Sequence, residues 1–203
     1  KNRVRDLKRT CRVLQQLNPT PLEVLITADG CTDDTVEVVK AEVPNAKLIV
    51  NKQGKGSVVS RDRMMREAHG ELVLALDDDS YPEPLDCIAR LVPFFEQRPQ
   101  LAVLHFPQRT DEYPETLTQT DFGPEHPTRS AANSGAVLRR SFYVQLPGFV
   151  PRFFNTCEEP DYAIQCVAAG AEGRFHALVT IRHQYASAAR SEILNHHRHA
   201  RNE

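Results

Sequence analysis

The feature that most limits what this chain can become is its alternation of strand-length apolar runs with helix-length amphipathic stretches. Residues 23–28, 46–50, 71–76 and 101–106 are short, apolar and partly β-branched, as buried strands are. Between them lie helical patterns. Val4, Leu7, Cys11, Leu14 and Leu17 form one stripe, stopped by Asn18-Pro19 and Pro21. Thr32 or Asp33 caps a helix through Val36, Val39 and Ala41. Gly54-Lys55-Gly56 opens a helix from about Val58 to Ala68, and Pro84 or Leu85 begins another that runs to about Gln97. Strands separated by helices of this length predict an α/β fold: a mainly parallel sheet flanked by helical crossovers. The chain's 203 residues suit a single domain with one core.

In such sheets, ligands gather beyond the carboxyl ends of the strands. Asp29 ends one predicted strand and Asp77-Asp78-Asp79 ends another. Folding does not require acids at both places, so their position favours a function. Residues 1–106 thus read as a nucleotide-binding half. Residues 107–130 hold four of the chain's fourteen prolines and little periodicity, and read as a loop or lid. Residues 131–203 read as an acceptor-side half and tail. They comprise a strand at 134–138, a helix at 140–145, a Gly148-Phe149 turn, a helix at 160–169, a strand at 175–181 and a helical stretch through Ile193.

Bulk properties exclude several classes. A formal net charge of −2 gives no general attraction to nucleic acid. The cysteines (Cys11, Cys31, Cys87, Cys157, Cys166) are odd in number and lack C-x-x-C spacing, so they read as reduced thiols. No apolar run approaches the ~20 residues of a membrane span, and no secretory signal stands out. The expectation is a cytoplasmic domain, peripherally membrane-associated if its acceptor is lipid-linked. The opening Lys-Asn-Arg-Val-Arg has no Met and no strand before it, which predicts a truncated N-terminus lacking its first strand.

Three adjacent carboxylates are costly to hold together unless a cation joins them. Hard divalent ions prefer oxygen ligands, and Mn²⁺ or Mg²⁺ commonly bridges carboxylates to substrate phosphates. A solvated acidic turn is the plain alternative. Asp29 through Thr35 has the form of a strand, a turn and a capped helix. Glu158, Glu159 and Asp161 crowd a helix start, where acids favour the dipole and a carboxylate can also deprotonate a hydroxyl. His183 follows a predicted strand and becomes a metal ligand only if the chain folds back to the aspartates. His196, His197 and His199 read as a solvated helix face.

Taken in order, these segments resemble the family 2 glycosyltransferases of the GT-A, Rossmann-like fold. Asn2-Arg3 resembles the end of the family's opening strand and turn. Ala28-Asp29-Gly30-Cys31-Thr32-Asp33-Asp34-Thr35 resembles its D-D-G-S-T-D-x-T segment, with Ala28 and Cys31 departing from the pattern. Gly54 to Arg61, then Ala68-His69-Gly70-Glu71, resembles the glycine-rich helix start and A-x-G-E. Asp77-Asp78-Asp79 resembles the D-x-D element. Asn133-Ser134-Gly135-Ala136, Arg139-Arg140 and Pro147-Gly148-Phe149 resemble stretches near the donor sugar. Glu158-Glu159-x-Asp161 resembles E-D-x-D, and Arg201-Asn202 a terminal R-N pair.

The resemblance implies inverting transfer from a nucleotide-diphosphate sugar, with a UDP-sugar favoured, to a hydroxyl on a glycan, lipid-linked or protein acceptor. It places Asp29, Arg61, Asp77, Asp78 and Gly135 at the donor and Asp79, Asp77 and His183 on Mn²⁺ or Mg²⁺. Glu159 becomes the general base, with Glu158 and Asp161 beside it. Its rivals are a non-catalytic or truncated sugar-nucleotide-binding relative, a D-x-D phosphotransferase and a sugar nucleotidyltransferase.

Overall fold

The computed structural model describes residues 1–112, 114–117, 123–153 and 157–184. The amphipathic first stretch forms α1 (Val4–Leu14). After it come β1 (Leu25–Asp29), α2 (Thr35–Glu42), β2 (Lys47–Asn51), α3 (Ser57–Glu67) and β3 (Leu72–Ala75). Then follow β4 (Ser80–Pro82), α4 (Cys87–Glu96), β5 (Leu101–His105), β6 (Gln108–Thr110) and β7 (Glu125–Pro127). The chain continues as β8 (Ala136–Arg139), α5 (Arg140–Gln145), a 3₁₀ turn at Pro151–Phe153, α6 (Glu158–Ala168), β9 (Glu172–His176) and β10 (Ile181–His183).

The α/β class stands, and the sheets are mixed. β1 pairs with β2 in parallel. A central sheet runs β3-β8-β5-β9-β7, and a small one runs β4-β10-β6. In the central sheet only β5·β9 is parallel; β8 lies antiparallel between β3 and β5, and β7 antiparallel on β9. The expectation of parallel pairing therefore holds for β1·β2, β5·β9 and β6·β10, while the other four pairings among the described strands are antiparallel. Its basis was βα alternation, and among the described residues of 107–139 no helix separates β5 from β8.

Alternating side chains build a core on each face of the central sheet. Leu101, Leu104 and Val137 pack against Leu91, Phe94 and Phe95 of α4. Val103, Ala136 and Leu138 pack on the other side with Val58 and Met65 of α3, Tyr143 of α5 and Tyr162 and Cys166 of α6. A register shift between Leu101 and Val103 breaks strict alternation in β5. Each large side chain so buried contributes about 1.5–3 kcal/mol.

Several local expectations change. The segment read as a loop or lid contains β6 and β7, because Gln108–Thr110 finds a partner in β10 and Glu125–Pro127 one in β9. The strand expected at 175–181 is two strands, β9 and β10, separated by a turn. Neither Thr32 nor Asp33 caps α2: Asp34 holds the N-cap position without a side-chain hydrogen bond. The Asp33 carboxylate accepts from the Val4 amide at 3.3 Å and from the Thr35 hydroxyl at 2.5 Å instead, tying α1 to the start of α2. All five cysteines are free. Among the described residues no helix is long and apolar enough to cross a membrane. His196, His197, His199, Arg201, Asn202 and the stretch through Ile193 lie outside the described residues.

Candidate active site

The site is assembled at strand ends. β3 stops at Ala75, and Asp77 turns back onto Ser80: its amide donates to Ser80 Oγ at 2.8 Å, and the Ser80 amide donates to the Asp77 carbonyl at 3.3 Å. The turn delivers three carboxylates to one place. Thr10 of α1 supports it, donating its hydroxyl to the Asp78 carbonyl at 2.9 Å.

The small sheet closes the site. β10 lies between β4 and β6, with His183 opposite Ser80 on one side and Thr110 on the other. The Gln184 amide donates to the Asp79 carbonyl at 2.9 Å, which locks the end of β10 to the turn. His183 Nε2 then lies 3.3 Å from Asp79 Oδ1 and 4.0 Å from Asp77 Oδ2. One ligand atom from each of Asp77, Asp79 and His183 falls within a mutual 4.8 Å. Two carboxylates and an imidazole are an oxygen-rich donor set that fits Mn²⁺ or Mg²⁺. The Asp79 side chain is only 4% exposed, and a carboxylate at that depth requires positive partners.

Arginines supply part of that charge. Arg3 Nη1 sits 3.0 Å from both Asp78 Oδ1 and Asp79 Oδ2. Arg61 of α3 pairs with Asp77 through Nη2 and donates through Nη1 to the Asn133 carbonyl at 3.3 Å. Burial raises the Asp78 carboxyl above its ordinary range, opposed by the Arg3 charge and reinforced by Asp79.

Asn133 joins this cluster to the acids of α6. Its amide donates to Glu159 Oε1 at 3.4 Å, and its side-chain nitrogen donates to Glu158 Oε1 at 3.3 Å. Burial, then the neighbouring Glu159 charge, raises the Glu158 carboxyl to about 7. Burial also raises Glu159, opposed in part by its own helix amide and by the Arg61 charge. Glu159 lines a small cavity with Ala131, Asn133, Phe149 and Tyr162, whereas Glu158 is buried. Asp161 stands apart: it accepts from Gln165 at 2.6 Å, and Gln165 in turn holds the Gly148 turn.

Asp29 sits at the end of β1 as expected, and its carboxylate is occupied by the chain itself. It accepts from the amides of Lys55 and Gly56 at 2.9 Å each and from Asn51 Nδ2 at 2.7 Å. Burial opposes ionisation there, but these donors outweigh it and hold the carboxyl below its ordinary range. Asp29 therefore clamps the glycine-rich loop. Gly30 permits the fit, because a Cβ on it would lie 2.6 Å from the Gly54 nitrogen. Gly135 has a comparable steric role: a Cβ there would meet Ile181 Cγ1 at 2.6 Å, so its smallness lets β10 approach.

The Arg139-Arg140 pair does not reach this cluster. Arg139 donates to the carbonyls of Leu101, Phe95 and Arg98 and pairs with Glu71, binding β8 to the end of α4. Arg140 donates to the Arg66 carbonyl at 3.1 Å. Sequence reasoning attached no site role to Arg3 or Gln108, and it placed Asn133 only within a stretch near the donor sugar. Gln108 lies three residues beyond the end of β5, so the strand-end rule offered a signal for it.

Comparison with known proteins identifies the family and the fold. The sequence profile of glycosyl transferase family 2 matches residues 1–161. The fold is similar to that of a mannosyltransferase from Pyrobaculum calidifontis solved with GDP-Man and Mn²⁺, with 17% identity, a TM-score of 0.72 and coverage of 98% of this chain and 58% of that one. It is also similar to S. aureus TarS 1-349, at 16% identity and a TM-score of 0.70, covering 90% and 58%. GalNAc-T7 with UDP, GalNAc and Mn²⁺ matches at 14% identity and a TM-score of 0.64, covering 80% and 38%. The chain thus spans less than two thirds of the length of these structures. No curated protein sequence matches it significantly. With strand-end aspartates, an opposed histidine and an arginine–acid cluster on a mixed α/β sheet, and with its profile matched over residues 1–161, the chain belongs to glycosyl transferase family 2.

Proposed function

We propose that this domain transfers a sugar, with inversion, from a nucleotide-diphosphate sugar to an acceptor hydroxyl, and that it requires Mn²⁺ or Mg²⁺. The observation that carries this reading is the meeting of Asp77, Asp79 and His183 from two separate strand ends, beside Arg61 and joined through Asn133 to Glu159. A divalent ion held by Asp77, Asp79 and His183 would supply positive charge against the diphosphate leaving group. Arg61 lies at the same edge and adds a fixed guanidinium, suited to phosphate oxygens. Glu159 lines the cavity, and its burial makes it more basic than an ordinary carboxylate. It takes the proton of the acceptor hydroxyl as that oxygen attacks the sugar. Asp29 acts indirectly, holding the 53–56 loop against the end of β1, where a nucleotide would lie.

UDP-sugars are the favoured donors. Two of the similar structures contain UDP or GDP-Man. The acceptor is a glycan, a lipid-linked carrier or a protein. A cytoplasmic setting, with peripheral membrane contact for a lipid-linked acceptor, belongs to the same reading.

Calorimetric titration of UDP, GDP, CDP and dTDP, with and without Mn²⁺, tests the donor site. One nucleotide should bind in a Mn²⁺-dependent way and lose that dependence in Asp79→Ala. The base assignment fails if Glu159→Gln turns over donor and acceptor at the wild-type rate. Binding without transfer to any acceptor would favour a non-catalytic relative.

A further inference from the structure

The ring of His183 is oriented by a contact on its far side from the aspartates. His183 Nδ1 lies 3.0 Å from Gln108 Oε1, and Gln108 Nε2 lies 2.9 Å from Ser134 Oγ. Gln108, Ser134 and His183 are all buried. The backbone supports the arrangement: β6 and β10 are parallel with Gln108 opposite Ile181, and Ile181 donates its amide to the Pro107 carbonyl at 3.0 Å. Gly135, packed on Ile181 without a Cβ, lets the 133–135 loop approach close enough for Ser134 to hold the amide.

An amide oxygen only accepts hydrogen bonds, so the ring nitrogen facing it carries the proton. A neutral imidazole protonated at Nδ1 presents a lone pair at Nε2, the atom that faces Asp79 and Asp77. We infer that Gln108 is a positioning residue: anchored by Ser134, it fixes the tautomer and the plane of His183 so that Nε2 can ligate the divalent ion. The inference rests on the metal centre proposed above. Ser134 neighbours Asn133, which holds Glu158 and Glu159, so one short loop sets both the metal ligand and the acid pair. Partners of this kind typically change metal affinity by about 10–100-fold.

The test uses the full chain with Mn²⁺, with and without UDP or GDP. Calorimetry reads affinity, and electron spin-echo spectroscopy of bound Mn²⁺ reads the nitrogen coupling that a histidine ligand gives. Gln108→Leu, close in size but unable to accept a hydrogen bond, should weaken Mn²⁺ binding at least 10-fold and reduce the nitrogen coupling. Gln108→Glu, which keeps an acceptor, should restore the coupling. Ser134→Ala keeps the acceptor but releases its anchor, and should have a smaller effect in the same direction. It also serves if Gln108→Leu does not fold. Wild-type affinity and coupling in both Gln108→Leu and Ser134→Ala would overturn the role of Gln108. If the wild-type chain takes up no Mn²⁺, or if His183→Ala leaves the coupling intact, the metal centre itself is wrong, a failure distinguishable from the first.

Discussion

Arg3 reaches from the turn before α1 to Asp79, its Nη1 3.0 Å from a carboxylate oxygen of a side chain that is 4% exposed. The same nitrogen lies 3.0 Å from Asp78 Oδ1, so one guanidinium serves two of the three clustered acids. Asn2 helps hold the arginine there, its Oδ1 accepting from the Thr32 amide at 2.8 Å. Removing one partner of a buried pair leaves an uncompensated charge, at about 3–5 kcal/mol when both groups are fully buried. Arg3 is 28% exposed, so Arg3→Ala should cost less, on the order of 1–3 kcal/mol. Mn²⁺ should restore part of that loss, since a bound cation offsets the same carboxylates. Urea unfolding with and without Mn²⁺ checks this, and an unchanged midpoint in the metal-free variant would refute it.

Glu158 should make the protein less stable as pH rises. Its ordinary value is 4.5 and its folded value about 7. Between those values the unfolded chain releases the proton while the folded chain retains it. The unfolded state then binds fewer protons, and stability falls with rising pH. Below about 4.5 the penalty is absent; above about 7 it is complete. Glu158→Gln removes this contribution while keeping the shape and an acceptor for Asn133 Nδ2. The difference in denaturation midpoint between wild type and variant should therefore grow in the variant's favour from pH 4.5 to 7. A constant difference across that range would contradict the assignment.

Arg139 should matter for stability and not for chemistry. Its guanidinium satisfies three backbone carbonyls and pairs with Glu71, joining β8 to the end of α4. Arg139→Met keeps the apolar stem and strands those acceptors, which should cost about 2–4 kcal/mol. Donor affinity of the remaining folded protein, measured well below its melting temperature, should stay within about twofold of wild type. A large loss of donor binding with unchanged stability would place Arg139 in the site after all.

Part of the site was legible because it obeys local rules. The apolar run ending at Leu76 is a strand signal, and acids placed just beyond it fall at a strand's carboxyl end wherever the strand pairs. The same reasoning located Asp29, although it did not reveal that the Asp29 carboxylate is already taken by Lys55 and Gly56; the acids that open α6 showed instead as a cluster at a helix start. The short pieces β6, β7 and β10 escaped because each has only three residues, too few for a period to show.

The amino-acid order by itself determined the alternating elements of the first half and the clustering of Asp77, Asp78 and Asp79, since each depends on neighbours in the chain. Only tertiary structure decided which distant groups meet those acids. β10 is inserted between β4 and β6, which brings His183 to Asp79 and Gln108 to His183. Arg61 and Asn133 meet Asp77 and Glu159 in the same way. Pairing among distant strands is set by which edges and apolar faces remain after local structure has formed. That is a property of the whole packed chain, and no local pattern encodes it.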